Sequence, residues 1–578
     1  MAKRHREFFI FAATFFAFAY FHQGGGWNQN SRFAEVRAMV EEHRFAIDSF
    51  LIYDGNEGSE HLTRTSINNG DFVLGGKTQR IAWTGSEGNL VPINGVEADE
   101  SVTLVGYESA LASGDIGFAR GHFHPNKPPG ASFAAVPGYL LLYSIEKALG
   151  VDLDNWWPLT CNAWLTSVFS MALISALGCV IFFRVTTLLV PDSPQVAAAT
   201  TAVFAFGTMF FSYGTMLFDH NLTATALLAS FYLLARDRPP NSIDASRAIF
   251  FSGLFAGVAS ITNYVAAVIA IFLAVFLVSR RSFRSVVPFA LGLLGPFLLI
   301  CFYNVRCFGT PFALNTDYQN PVFHEAAFLG MFGVPRLDVG VALLLSPFRG
   351  LFFTSPVLVL GVFGLVRMLR TSEWKAEAWL CIATFAFFFL INICFNGWHG
   401  GFSGQPRYLL PALPFIAIPM AFGFRRWPMI AMLFATFSLF VNFVLTAVDA
   451  ESPLGTGYLA RVENRSLWTY NPMTEYAAPL FFTGRAWPIL NAILEEHLAA
   501  EPKGDDPAAD DAQLAEERAD LREGIARGDE DPFLLATFTG PVSVNPIGVY
   551  EGSFYRIFAA HTTQTDWNSF NAGEFIFP

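Results

Sequence analysis

The chain has 578 residues, 53% of them hydrophobic and only 15% charged, with a mean hydropathy of +0.39. That balance excludes a soluble globular protein and points to a polytopic membrane protein. The formal net charge of −12 reflects acid gathered in two polar blocks, residues 54–115 and 501–531, and neither is basic, which excludes a nucleic-acid surface. Six scattered cysteines show no CxxC and no ligand spacing, and read as small apolar packing residues.

Met1 to Arg6 is basic and precedes an apolar run from Phe8 to Phe21, so positive-inside logic leaves the N-terminus in the cytoplasm and makes residues 1–26 an uncleaved anchor. Residues 27–130 then form a large external loop. It opens with a helix candidate over 30–40, in which Phe33, Val36 and Val40 recur at helical spacing while Arg32, Glu35 and Arg37 project elsewhere. This predicts a helix lying on the bilayer surface. From about residue 52 to 120, short alternating stretches such as Asp71 to Leu74 and Val102 to Val105 predict a small β-rich insertion.

The loop closes on His122-Phe123-His124-Pro125-Asn126-Lys127-Pro128-Pro129-Gly130. Its prolines and glycine fix the backbone, and two imidazoles and an ammonium crowd one place at the membrane surface. Residues 131–149 are apolar, yet a crossing there would put Asp152 and Asp154 inside and Arg184 outside; a surface or re-entrant helix reverses both. Spans are predicted near 160–183, 195–217, 221–235, 285–303, 350–366, 377–396, 409–423 and 428–447. The run 248–279 has arginines at both ends and reads as a hairpin turning at Thr262-Asn263-Tyr264. With the anchor this makes an all-α membrane protein of about eleven transmembrane helices. The membrane domain covers 131–447. Residues 448–578 form an external C-terminal α/β domain with a charged helix candidate over Asp511 to Arg527.

The ionisable residues avoid the predicted spans and gather at their outer ends. Ion-coupled transporters need such groups near the midplane, so the pattern favours chemistry at the interface over conduction. A transferase acting on a lipid carrier needs a carboxylate to take a proton, cations to hold a leaving phosphate, and an apolar groove. Candidate carboxylates are Asp48, Glu35 and Asp219. Lys127 and Arg407 are the leading cations, with His122, His124, His220, Arg306 and His399 as further donors. Each also has a plainer structural role open to it: Lys127 or Arg407 as an interfacial anchor, Asp48 as a turn carboxylate, Asp219 as a helix-end acid.

Several motifs resemble the C-type glycosyltransferases (GT-C fold), in the branch holding protein O-mannosyltransferases and the lipid A aminoarabinose transferase. Asn126-Lys127-Pro128-Pro129 resembles their Glu-Lys-Pro-Pro, and Arg32-Phe33-Ala34-Glu35 their Arg-Tyr-Ala-Glu. Asp219-His220 sits where the family has an aspartate opening the fourth span. Thr262-Asn263-Tyr264 resembles a Thr-Lys-Tyr hairpin tip, and Pro406-Arg407-Tyr408-Leu409-Leu410-Pro411 the late Arg-Tyr-Leu-Leu-Pro. The resemblance implies inverting sugar transfer from a polyprenyl-phosphate donor to a glycan, lipid or protein acceptor. The reaction would take place on the periplasmic face of a plasma (inner) membrane, with Lys127 on the donor phosphate and Asn126, Arg32 and Tyr408 around the substrate.

This chain departs from the family's pattern at three points. The catalytic acidic pair is replaced by Gln29-Asn30, the glutamate by Asn126, and the hairpin lysine by Asn263. Asp48 becomes the first candidate base and Glu35 the second, and the case for a divalent metal weakens because Asn and His make a poor hard-cation site. A lipid or solute transporter (flippase) and a catalytically silent scaffold of the same fold are the alternatives.

Overall fold

The computed structural model describes residues 2–21, 23–24, 26–54, 63–68, 70–74, 76–81, 113–236, 242–319, 331–401, 403–448, 467–478, 481 and 552–553. The helix candidate over Asp511 to Arg527 and most of the C-terminal domain lie outside the described residues, as does Val102 to Val105.

The described residues are mainly helical. α1 (Ala2–Tyr20) leads to a short strand β1 (Gln23–Gly24) and then α2 (Trp27–Glu41). Three antiparallel pairs follow: β2 (Ile52–Asp54) with β3 (Thr63–Thr65), β4 (Asp71–Leu74) with β5 (Lys77–Arg80), and β6 (Ile116–Ala119) with β7 (His122–Pro125). Strands therefore occur in the described parts of the segment expected to be β-rich. Residues 122–125, expected as a proline-fixed loop, are themselves a strand. Pro125 fits because it closes the strand at the register Ile116↔Pro125.

α3 (Gly130–Leu149) comes next and ends on Gly150 in the left-handed conformation. Its buried face, with Ala131, Ala135 and Tyr139, packs on Phe33, Val36 and Val40 of α2, while Leu141, Ile145 and Leu149 face out. The start of α3 is seated on the break at residue 263, because a Cβ on Gly130 would stand 2.3 Å from Thr262 Oγ1.

The membrane part runs through α4 (Trp156–Ser167), a π turn, α5 (Leu173–Leu189), α6 (Pro194–Phe206), α7 (Phe210–Gly214) and α8 (Asp219–Ala235). α9 (Ile243–Thr262) and α10 (Ala267–Arg280) meet at Asn263, where the hairpin turn was expected. α11 (Val286–Phe308) lies against α9 at backbone distance. A Cβ on Gly253 would come within 1.9 Å of Phe289 O, and one on Gly292 within 2.0 Å of Phe250 O. Outside that seam, α11 exposes Val287, Leu291, Leu294, Leu298 and Phe302 as one apolar stripe, a face suited to lipid.

α12 (Leu337–Leu345), α13 (Leu351–Thr354), α14 (Val359–Leu369), α15 (Lys375–Cys394), α16 (Leu413–Ala417), α17 (Met420–Arg426) and α18 (Pro428–Val448) complete the helices; β8 (Gly552–Ser553) pairs with β1.

Among the described residues, five helices are long and apolar enough to cross a membrane, or six if the pair Arg407–Ala417 and Met420–Arg426, bent by 51°, counts as one span. The protein is a multi-pass membrane protein. The count falls short of the expected eleven in part because several of the apolar helices are short, among them Pro194–Phe206, Tyr264–Arg280 and Pro356–Leu369.

α2 departs most from expectation. It does not lie on a surface. Arg32, Glu35 and Arg37 are as buried as Phe33 and Val36, because each charged group has a partner inside the protein.

Candidate active site

Four elements converge around α2. Arg32 ties α2 to two of them. Its Nε donates to Asn28 Oδ1 (2.9 Å), Nη1 to the Pro128 carbonyl (3.2 Å) and Nη2 to Asp219 Oδ1 (2.7 Å). Asp219 opens α8, so its carboxylate also benefits from the helix N-terminus. Its second oxygen faces Asn263 Nδ2 at 3.5 Å and His220 Nδ1 at 3.6 Å. Gln29 Oε1 accepts from the Leu217 N–H at 3.0 Å and steadies the turn before α8.

One turn along α2, Glu35 accepts from the Tyr303 hydroxyl at 2.7 Å. Burial pushes its carboxyl up to about 7, against the opposing influence of Ser132, Tyr303 and Arg32. A carboxyl raised in this way holds its proton more readily than an exposed glutamate does.

Arg407 is close enough to act electrostatically on Asp219 and on a second arginine, Arg349. Arg407 stacks over Phe218 (5.1 Å) and Tyr408 (5.4 Å). Tyr408 meets His220 edge-on at 5.7 Å. Arg349, only 1% exposed, spends Nη2 on the Gly401 carbonyl (2.7 Å) and lies over the Phe348 ring (4.2 Å). Its Nε and Nη1 have no hydrogen-bond partner among the described residues. Burial pulls the Arg349 guanidinium down to about 9, and the nearby charge of Arg407 adds to this, so it remains cationic at neutral pH. His399 is pulled to about 4 by burial and by the same two arginines. Its Nδ1 accepts the Gly401 N–H (3.0 Å), which leaves the proton of the neutral ring on Nε2 as a donor.

The proline-rich stretch comes apart. Lys127 Nζ pairs with Asp115 Oδ1 at 3.1 Å, while its backbone is held by Asn315 and, through Pro128, by Arg32. The histidines lead elsewhere. His122 is half exposed and meets Asp48 Oδ2 at 2.9 Å. His124 is buried on Phe308, with its Nδ1 against the Phe45 carbonyl at 3.3 Å, and burial pulls it to about 4. As residues i and i+2 of one strand they share a side of it, and the rings diverge because they take different partners. Asp48 itself accepts the Phe123 N–H at 2.8 Å, and burial raises its carboxyl. Its partners are His122, Phe123 and Arg44, none of which belongs to the Arg32–Asp219 cluster. Arg306 is exposed on the last turn of α11.

Sequence reasoning missed Arg349 and Asp115. The first appears in the sequence only as a single arginine between Ser346-Pro347-Phe348 and an apolar run; the second only as one acid in an acidic block. Among the described residues no three His, Cys, Asp or Glu side chains converge as a metal site would require.

No family model matches the chain, and no curated protein matches it. Among solved structures the chain is similar to ArnT from Cupriavidus metallidurans bound to undecaprenyl phosphate, at 15% identity over 94% of this chain and 76% of that one, with a TM-score of 0.40. It is likewise similar to the apo state of that protein, at 13% identity over 97% and 82% of the two chains, with a TM-score of 0.41.

Proposed function

We propose that the protein is a membrane glycosyltransferase that moves a sugar from a polyprenyl-phosphate donor to a hydroxyl of a glycan, lipid or protein acceptor. The reaction runs at the outer, periplasmic face of a plasma membrane, with the N-terminus in the cytoplasm. One observation carries this reading: Arg349 is buried with two guanidinium donors unspent, beside the Arg407 charge that also acts on Asp219, the carboxylate fixed by Arg32. Leaving such donors unpaired costs about 1–3 kcal/mol, and an anionic ligand recovers it. The family motifs supply the remaining support.

In this reading the acceptor oxygen attacks the anomeric carbon as the bond from that carbon to the phosphate oxygen breaks. The electron pair leaves with the phosphate, and Asp219 takes the acceptor's proton. Arg349 and Arg407 meet the charge that develops on the phosphate, with Lys127 from the opposite side. Asp219 is preferred to Asp48, whose oxygens hold β7, and to Glu35, which is fully buried with one oxygen on the Tyr303 hydroxyl.

The test is incubation of the purified protein and membrane extract with radiolabelled polyprenyl-phosphate sugars. Label should pass to an acceptor with the wild type and stay on the lipid with Asp219→Asn. Equal transfer by both removes Asp219 from the reaction, and movement of intact donor across a bilayer would favour a flippase.

A further inference from the structure

Asp115 immediately precedes β6 and Lys127 follows β7 by two positions, so the register Ile116↔Pro125 sets them on opposite sides of the hairpin's open end. Across that opening lies the 3.1 Å ion pair. Asn126 Nδ2 points to the same Asp115 oxygen at 3.5 Å and to Gln319 Oε1 at 3.4 Å. A carboxylate thus stands beside residue 126 although residue 126 is not one. An amide suits that position, because a second carboxylate against Asp115 would repel it.

The backbone on both sides is tied down. Asn315 Nδ2 donates to the carbonyls of Lys127 (2.8 Å) and Pro125 (3.2 Å), and Arg32 to that of Pro128 (3.2 Å). The Asp115 N–H donates to Ser113 Oγ (3.0 Å), whose hydroxyl donates to the Trp27 carbonyl (2.6 Å). Only the lysine side chain is left to move, and it is 28% exposed. The pair is largely desolvated, so its net contribution to stability is small, yet an anion must bring more charge than Asp115 to draw the lysine away from it.

The charge of the ligand decides when that happens. A phosphodiester, whether a lipid-linked sugar or an ordinary phospholipid headgroup, carries one negative charge and offers Lys127 no more than Asp115 does. A phosphomonoester gains a second charge near neutral pH, and the leaving phosphate acquires it as the sugar departs. We infer that Asp115 is a placeholder anion that reserves Lys127 for a phosphate becoming dianionic. Lys127 then contributes to the transition state rather than to ground-state binding. This rests on the phosphate reading given above. Asp115 is a positioning residue; it acts through Lys127 and takes no proton.

The experiment measures binding of decaprenyl phosphate (a monoester) and of phosphatidylglycerol (a diester) to the full chain in detergent at pH 8, with Tm recorded for every variant. The wild type should prefer the monoester. Asp115→Asn should tighten diester binding roughly fivefold, in line with the loss of a weak ion pair, and so shrink that preference. Asp115→Asn in a Lys127→Met background should change nothing further. An unchanged preference in Asp115→Asn, or an equal change in the Lys127→Met background, overturns the placeholder role. Arg349→Met separates the two readings: if it weakens monoester binding while Asp115→Asn leaves the preference intact, only the placeholder fails. If wild type and Arg349→Met bind the monoester equally, the phosphate reading fails and the placeholder with it.

Discussion

Arg32 of α2 and Asp219 at the head of α8 meet at 2.7 Å although 187 residues separate them, and both are buried. Removing one partner strands the other charge at a cost of about 3–5 kcal/mol. Arg32→Met should therefore lower Tm sharply and abolish transfer. Arg32→Met combined with Asp219→Leu should recover much of the Tm and none of the transfer, measured by thermal unfolding beside the label assay. Full recovery of transfer would remove the pair from the chemistry.

Arg349 presents the opposite balance. Its unpaired donors weaken the empty protein, so Arg349→Met should leave Tm unchanged or raise it while weakening binding of a polyprenyl phosphate about tenfold or more. A fall in Tm together with unaltered binding would make Arg349 a purely structural residue.

Glu35 predicts a pH dependence of stability. Its carboxyl lies at about 7 in the fold against 4.5 when exposed, raised chiefly by burial. Between those values the folded state holds more protons than the unfolded one, so stability is fully present below about pH 4.5, falls as pH rises towards about 7, and is flat above. Glu35→Gln should flatten that slope and gain stability relative to wild type at pH 8. Denaturant melts from pH 4.5 to 8 read this directly, and an identical slope in the variant would disprove it.

Asp48 distinguishes a hairpin anchor from a base. Asp48→Ala loses the acceptor for the Phe123 N–H and should cost about 1–3 kcal/mol. Asp48→Asn keeps an acceptor there and should retain most of the turnover. A folded Asp48→Asn with no turnover would return the base to Asp48.

Much of the helical framework was legible because apolar runs and arginine clusters mark the ends of membrane segments. The turn at Asn263 is the clearest case, with three arginines on either side of the run and a polar tip between. Periodicity describes faces but not partners, so it could assign Phe33 and Val36 to an apolar face without revealing that Arg32 and Glu35 opposite them are buried too. The alternation of His122 to Pro125 itself puts the two histidines on one side of a strand; what divides them is the choice of partner, Asp48 for one and the Phe45 carbonyl for the other, and both partners come from elsewhere in the chain. Arg349 and Asp115 carry no local signal at all. Their significance comes from what lies beside them once the chain has folded.

Gly130 acts as a bearing surface. Through it the start of α3 rests on the backbone of Thr262, so the Lys127 strap and the tip holding Asn263 share one mechanical reference with nothing compressible between them. A single methyl group at position 130 would be a wedge driven between the two walls of the site. It would shift Lys127 relative to Asp219 without touching either, which makes this residue the most economical place to detune the protein while leaving every charge in it intact.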